Sequence, residues 1–268
     1  MALDSVDQIK SVWSSGSYSR FARTYLGMAA ELVDATEAGA EDTVLDLACG
    51  TGNVAITAAR RGATVTGLDV TPAMLDVAET NAATAAVDDV TWREGTVTDL
   101  PFESDRFDVT LSSLGHMYGE PATAAGDELL RVTKPGGRFG FTAWTPTGLY
   151  PVLAGLVMTY LPRGERPEYS EPPFMWGDRD AVERRLDGRG TDLTFERATL
   201  LHPALSPEHF WQELVNHSGM FLRFLDAVHD REALREEAVE TIAPSFDAAE
   251  NAVELEYLRT TGIVATPD

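Results

Sequence analysis

The stretch Val44-Leu-Asp-Leu-Ala-Cys-Gly-Thr-Gly-Asn53 decides the fold. Thr43–Ala48 reads as a short buried strand that runs into the turn Gly50-x-Gly52. Asn53–Arg61 reads as an alanine-rich helix closed by Gly62. Glycines between a strand and a helix permit a tight reversal and let a ligand approach the backbone. Outward from this turn the same rhythm repeats. Ala63–Asp69 is a second strand, and Pro72–Ala86 a helix with Thr71 as N-cap and Pro72 at its first position. Val90–Glu94 and Phe107–Ser113 are further strands. Pro121–Thr133 is a helix, Lys134-Pro-Gly-Gly137 a turn and Arg138–Ala143 a fifth strand. Strands alternating with helices predict an α/β, doubly wound fold around a parallel sheet.

Flanking segments read differently. Residues 5–38 are helical, with Leu26, Ala29, Ala30 and Val33 at helical spacing. After Trp144 a proline-rich, apolar stretch covers 146–176. Thr191–Leu201 is a sixth strand, Ser206–Phe246 a helical stretch begun by Ser206 and Pro207, and Val253–Val264 a final strand. The expected organisation is one domain over 1–268. It has a helical cover at 1–40, a cofactor-binding core at 41–145, a partly helical substrate or lid region at 146–249 and the last strand within 250–268. Residues 202–249 form a helical insertion near the site.

Composition narrows the setting. The chain has 43 acidic and 21 basic residues, a net charge of −22, and only two lysines, Lys10 and Lys134. That charge is far beyond the magnitude of about 2–8 suited to small soluble domains. Self-repulsion of this size is relieved at about 1 M salt, where the Debye length is about 3 Å. The acids are spread along the chain, so the surface reads as adapted to a high-salt cytoplasm rather than as one patch for a basic partner. The same charge disfavours nucleic acid. No run approaches the roughly 18 apolar residues of a membrane span, and the start MALDSVDQIKS lacks the features of a secretory signal. One cysteine, Cys49, excludes an internal disulfide and a thiolate zinc site. Monomer and homodimer both remain open.

Two acids give the glycine turn its chemistry. Asp69 ends the second strand 17 residues past Gly52, near the spacing at which an acid reaches ribose hydroxyls. Gly50-x-Gly52-x-x-Ala55 also matches a relaxed dinucleotide fingerprint, which keeps a nicotinamide-dependent oxidoreductase as an alternative. Asp46 opposes that reading. An acid beside the turn repels a pyrophosphate but suits a ligand carrying an ammonium and a sulfonium.

Five ordered motifs then carry a family resemblance: DLACGTGN at 46–53, GLDVTPAML at 67–75, EGTVTDLPF at 94–102, FDVTLSS at 107–113 and LLRVTKPGGRF at 129–139. Together they resemble the class I S-adenosylmethionine-dependent methyltransferases, near the menaquinone and ubiquinone C-methyltransferases. The resemblance covers 13–145 well and the rest weakly. It implies a seven-stranded sheet ordered 3-2-1-4-5-7-6 with the last strand antiparallel. It implies S-adenosylmethionine as cofactor, S-adenosylhomocysteine as product and no metal. Asp69 would bind both ribose hydroxyls, and backbone at Ala48, Gly50 and Gly52 would line the methionine part. Met74 would pack on the adenine, whose edge would meet Thr96 and Val97. Where the family usually has Asp this chain has Thr96, which can still accept one hydrogen bond. Ser112, Ser113 and Leu114 would lie beside the methionine amino group and the transferred methyl. Asp46, Asn53, Val70 and Gly95 complete the cofactor set. Trp13–Arg23 resembles the segment that folds over the cofactor, with Tyr18 and either Arg20 or Arg23 reaching the methionine carboxylate.

The acceptor side is less determined. Methyl transfer from a sulfonium is an in-line displacement that alignment alone can drive. A base is needed only when the acceptor must lose a proton. His116, after the fourth strand, is the candidate base, with pocket wall and helix cap as the other readings of it. Met117, Tyr118 and Trp144 are candidate pocket walls, and His209 and His217 share a helical face without a metal-ligand pattern. The expected function is methyl transfer to a small apolar or aromatic metabolite, at C, O or N. A non-catalytic S-adenosylmethionine-binding module is the other alternative.

Overall fold

The computed structural model describes residues 6–14 and 18–266. Eight strands form one sheet: β1 (Thr43–Leu47), β2 (Thr64–Asp69), β3 (Val90–Glu94), β4 (Phe107–Ser113), β5 (Thr133–Trp144), β6 (Gly190–Pro203), β7 (Phe246–Asp247) and β8 (Ala252–Val264). Their order is β3-β2-β1-β4-β5-β8-β6, with the two-residue β7 paired to β8. β3 through β5 run parallel, and β8 runs antiparallel to both β5 and β6. With β7 set aside, this is the 3-2-1-4-5-7-6 order that the resemblance implied.

Alternation along β1 explains the two covered faces. Val44 joins a layer with Leu32, Val33, Val54, Ala58 and Val109, whereas Leu45 and Leu47 join the larger cluster on the opposite face. A strand buried on both sides reads as a nearly continuous apolar run, as VLDL does apart from Asp46. The first face is covered by α3 (Leu26–Ala35) and α4 (Asn53–Arg60), which pack on each other. α5 (Pro72–Thr84) packs on β2 and β3, and α6 (Ala122–Val132) on β4 and β5.

Before α3 lie α1 (Val6–Trp13) and α2 (Tyr18–Ala22), within the stretch expected to be helical. Beyond β5, α7 (Leu149–Thr159) is a helix that periodicity did not indicate. Its sequence LYPVLAGLVMT has no polar face because it is largely buried. α8 (Arg179–Leu186) precedes β6. The helical stretch after β6 is three helices, α9 (Pro207–His217), α10 (Gly219–Leu225) and α11 (Arg231–Ile242). Ser206 caps α9 by accepting from the His209 N–H, and Asp230 caps α11 by accepting from Ala233. Thr71 stands at the N-cap of α5 with Pro72 following, but its hydroxyl makes no cap bond. Lys134-Pro-Gly-Gly137 lies inside β5, where the pairing with β4 shifts register between Phe107 and Val109, so the expected turn is a strand irregularity. α9, α10 and α11 pack together, α7 joins α10 and α11, α1 meets α10 and α2 meets α9. No helix among the described residues is long and apolar enough to cross a membrane.

Candidate active site

One cavity of about 430 Å³ opens at the carboxyl ends of β1, β2 and β4, where open α/β sheets place their ligands. A recess of about 40 Å³ adjoins it, and the two share Tyr18, Tyr25, Ala48, Gly50 and Ser113.

The turn after β1 forms one wall. Ala48 and Gly50 both have φ of 51°, and Gly52 has φ of 84°. The left-handed backbone lets the chain reverse within four residues and start α4. A Cβ on Gly52 would lie 2.9 Å from the Trp92 ring and 3.2 Å from the Ala78 methyl. Gly52 is thus fixed by packing beneath the turn and does not itself line the cavity. Asp69 braces the turn from β2. One of its carboxylate oxygens accepts from the Gly50 N–H at 2.9 Å, the other from the Thr71 N–H at 2.8 Å. Burial raises its pKa, and the Thr71 and Gly50 hydrogen bonds oppose that shift. Asp46 is buried at the end of β1 and lines the small recess, where it accepts from the Ala55 N–H at 2.9 Å. Burial, with Asp69 nearby, pushes its pKa up to about 8.

Val70, Met74, Gly95, Thr96 and Val97 line the same end of the cavity, as do Ser113 and Leu114 after β4. The Thr96 hydroxyl lies 3.1 Å from that of Thr98. Ser112 is one residue too early. It is fully buried, donates to the Leu47 carbonyl at 2.7 Å and accepts from the His116 N–H at 3.0 Å, bracing β4 against β1 from outside the lining. Asn53 reaches across to the Ala22 carbonyl at 2.8 Å, tying α4 to α2. Arg23 is exposed and outside the lining, and Arg20 pairs with Glu213 at 3.3 Å.

The opposite end is aromatic. Tyr118 and Trp144 line it with Trp13, Phe21, Tyr150 and Tyr169, and Tyr18 and Tyr25 reach from it to the recess beside the glycine turn. These rings meet at steep angles: Trp13 and Tyr18 at 77° with centroids 5.5 Å apart, Tyr25 and Trp144 at 67° and 5.9 Å. Trp144 and Tyr150 stack at 5.2 Å. Desolvation raises the pKa of every tyrosine in the wall, that of Tyr169 to about 12. All are therefore neutral phenols near neutral pH. Among the added residues, Tyr150 comes from α7, and Tyr169 from the loop before α8. Spacing alone does not identify them, although the proline-rich, apolar character of 146–176 sets the region apart.

His116 and Met117 turn away from the cavity. His116 is fully buried between Phe141, 4.5 Å away, and Trp176, 4.7 Å away, with neither ring nitrogen hydrogen-bonded. Desolvation, helped by the charge of Arg185, lowers its pKa to about 3. The chain turns over at Leu114, φ 61°, and a Cβ on Gly115 would meet the Ala48 methyl at 2.4 Å. This close approach of the two turns sends the next side chain into the core. His209 and His217 flank Glu213 at 3.8 and 3.7 Å. His209 Nδ1 accepts from the Leu205 N–H, so its neutral ring carries the proton on Nε2 and offers no lone pair to a metal there. Among the described residues no group of three or more His, Cys, Asp or Glu is arranged to hold a metal ion.

Comparison with known proteins places this geometry. Residues 44–137 match the family model for a methyltransferase domain. An uncharacterised protein of Mycobacterium tuberculosis is 34% identical over 192 residues, covering 71% of this chain and 69% of that one. A demethylmenaquinone methyltransferase of Paenarthrobacter aurescens is 29% identical over 220 residues, covering 75% and 82%. The crystal structure of the YcgJ protein from Bacillus subtilis superposes with a TM-score of 0.60 at 21% identity, over 90% of this chain and all of the other, and shares the fold. With the sheet order, the glycine turn and the acid ending β2, these matches make the chain a member of the class I S-adenosylmethionine-dependent methyltransferases.

Proposed function

We propose that the chain transfers a methyl group from S-adenosylmethionine to a small metabolite with an apolar or aromatic body, by alignment in a desolvated cavity and without a histidine base. The observation that carries this reading is a single cavity whose one end is a glycine turn braced by Asp69 and whose other end is a wall of neutral aromatic rings.

The residues present fit the cofactor. Each Asp69 oxygen spends one acceptor position on a backbone N–H. A carboxylate has about four such positions, so capacity remains for two ribose hydroxyls. Met74 and Val97 offer apolar surface for the adenine, with Thr96 and the backbone at Val97 for its edge. Backbone at Ala48 and Gly50 lines the methionine part. Asp46, whose burial disfavours its charge, gains a reason to ionise when an ammonium group comes near. Tyr18 closes over this end and Leu114 faces the methyl. When bound, S-adenosylmethionine supplies an electrophilic methyl on a sulfonium. The protein's part is to hold the acceptor atom in line with it and exclude water, a contribution that reaches several kcal/mol for well-oriented reactants. Trp144, Tyr118 and Tyr150 do this from the aromatic wall, to which the region 146–249 contributes Tyr150 and Tyr169.

Calorimetric titration with S-adenosylhomocysteine and with NAD tests the reading. Micromolar binding of the first and none of the second is expected, followed by turnover on a panel of small acceptors. NAD binding without S-adenosylhomocysteine binding overturns it in favour of an oxidoreductase. Cofactor binding with no turnover on any acceptor overturns it in favour of a binding module.

A further inference from the structure

We infer that the methyl acceptor is an amine, held as a cation in the aromatic end of the cavity and methylated at nitrogen. This rests on the methyltransferase reading above and names the acceptor's chemical class.

The walls carry the inference. Eight aromatic residues line the cavity, among them the pairs Trp13–Tyr18 and Tyr25–Trp144, tilted at 77° and 67°. A ring face is the negative end of the aromatic quadrupole, and a desolvated ammonium is attracted to several such faces at once. Glu120 and Glu168 also line the cavity, both exposed and therefore at its mouth. The Glu120 carboxylate accepts from the Ser170 N–H at 3.1 Å, which joins the two stretches into one acidic rim. Among the described residues the lining contains no lysine, arginine or histidine. Arg223 acts on the Tyr169 hydroxyl from α10 but stands outside the lining. An acceptor bearing a carboxylate or diphosphate would therefore meet no basic side chain in the lining and would pass two glutamates. A net charge of −22 adds a long-range field of the same sign, favouring arrival of cations.

The chemistry balances with what the cavity holds. The acceptor enters as an ammonium and gives its proton to a rim carboxylate, which passes it to water. The freed nitrogen lone pair forms the bond to the methyl carbon while the carbon–sulfur bonding pair returns to sulfur. The sulfonium becomes a neutral thioether. A tertiary amine ends as a quaternary ammonium, and a primary or secondary amine as an alkylated ammonium. No buried base is required, in keeping with an aromatic wall whose phenols all stay protonated.

The test is calorimetry on the protein saturated with S-adenosylhomocysteine. The probes are choline and benzyltrimethylammonium, each against its uncharged carbon isostere, with 3,3-dimethylbutanoate as the anionic counterpart. At least one ammonium probe should bind about tenfold or more tighter than its isostere, and the carboxylate should not bind. The Glu120→Gln, Glu168→Gln double variant, both positions being exposed, should fold normally and lose several-fold of that preference. Equal or tighter binding of the isosteres, tightest binding of the carboxylate, no binding of either ammonium, or an unchanged preference in the double variant overturns the inference. S-adenosylhomocysteine binding is measured first in the same sample. Its failure sinks the methyltransferase reading, whereas its success without a cation preference sinks only the amine.

Discussion

The two ends of the cavity are built in opposite ways. The cofactor end is built around backbone turns. Ala48, Gly50 and Leu114 line it with positive φ, and Asp69 fixes the first turn by accepting from the Gly50 and Thr71 N–H groups. The acceptor end is mostly side chain, its rings drawn from α1, α2 and widely separated later segments. A backbone site is specified by which residues allow its torsion angles, so it tolerates little change. A side-chain wall is specified by volume and polarity, so it can be re-cut for another acceptor without disturbing the turn beneath. The comparison breaks hardest at Gly52. Gly52→Ala places a Cβ 2.9 Å from Trp92 at a φ of 84°. The left-handed conformation costs about 1–2 kcal/mol and the overpacking about 1–3 kcal/mol. A Tm lower by roughly 5–15 °C is expected by calorimetry. Gly155→Ala in α7, behind the aromatic wall, meets nothing within 4 Å. It should be neutral or stabilising by up to about 1 kcal/mol. Equal losses at the two positions would dissolve the distinction.

A smaller effect separates the ends by ligand. Asp69→Ala should weaken S-adenosylhomocysteine binding by about 1.5–3 kcal/mol, the range for hydrogen bonds to a charged group. Trp144→Ala should leave that affinity within about threefold and raise the KM for the acceptor instead. Calorimetry and steady-state kinetics on both variants check this. Loss of cofactor affinity in the Trp144 variant alone would show that the wall holds the cofactor.

The same contrast explains what the sequence made legible. The glycine turn, Asp69 and the five central strands lie in one contiguous stretch whose spacing encodes local geometry, and the sheet order came from the family resemblance that its motifs carry. The acceptor wall gathers residues as distant as Trp13 and Ser218, and no local spacing encodes that meeting. α7 escaped notice because its exposed positions include Val152 and Gly155, so it lacks the charged face that reveals a helix. His116 was placed correctly along the chain, after β4, but the direction of its side chain depends on the Ala48–Gly115 approach, a tertiary contact.

Protonation gives a third contrast. Asp46 has a pKa pushed up to about 8 by burial, against about 3.9 unfolded. The folded protein therefore keeps a proton on it that the unfolded chain has lost between those values. Its contribution to stability is full below pH 4 and is lost as pH rises through 8. A cationic cofactor reverses the preference, because it favours the carboxylate. S-adenosylmethionine affinity should rise between pH 6 and 8, by at most about tenfold per unit, and level off above. Asp46→Asn should flatten the curve. The tyrosines of the other end are neutral throughout this range, so binding of an uncharged acceptor-site probe should stay flat. A pH-independent cofactor affinity in the unmodified protein would remove Asp46 from the ammonium's surroundings.

The smallest effect on rate is expected at His116, where the two ends of the cavity no longer matter. The ring is buried beside Phe141 and Trp176, both nitrogens lack partners, and its pKa is lowered to about 3. Unfolded, a histidine titrates near 6.5. The unfolded chain thus binds a proton that the folded protein refuses, so His116 contributes stability in full above pH 6.5 and loses it as pH falls towards 3. The slope is about 1.4 kcal/mol per unit. His116→Phe keeps the ring and removes the unpaired nitrogens, a change that is nearly neutral when shape is conserved. At pH 7.5 the variant should match the parent in Tm to within a few degrees and in kcat to within about threefold. At pH 5 it should be the more stable by about 2 kcal/mol, the slope taken over one and a half units. Removing a general base would instead lower kcat by about 10²- to 10⁴-fold and erase the acid limb of the rate profile. Paired denaturation and kinetic profiles from pH 5 to 8 decide between them. A hundredfold fall in kcat would return His116 to the reaction, and an unchanged acid stability would show that its ring reaches water.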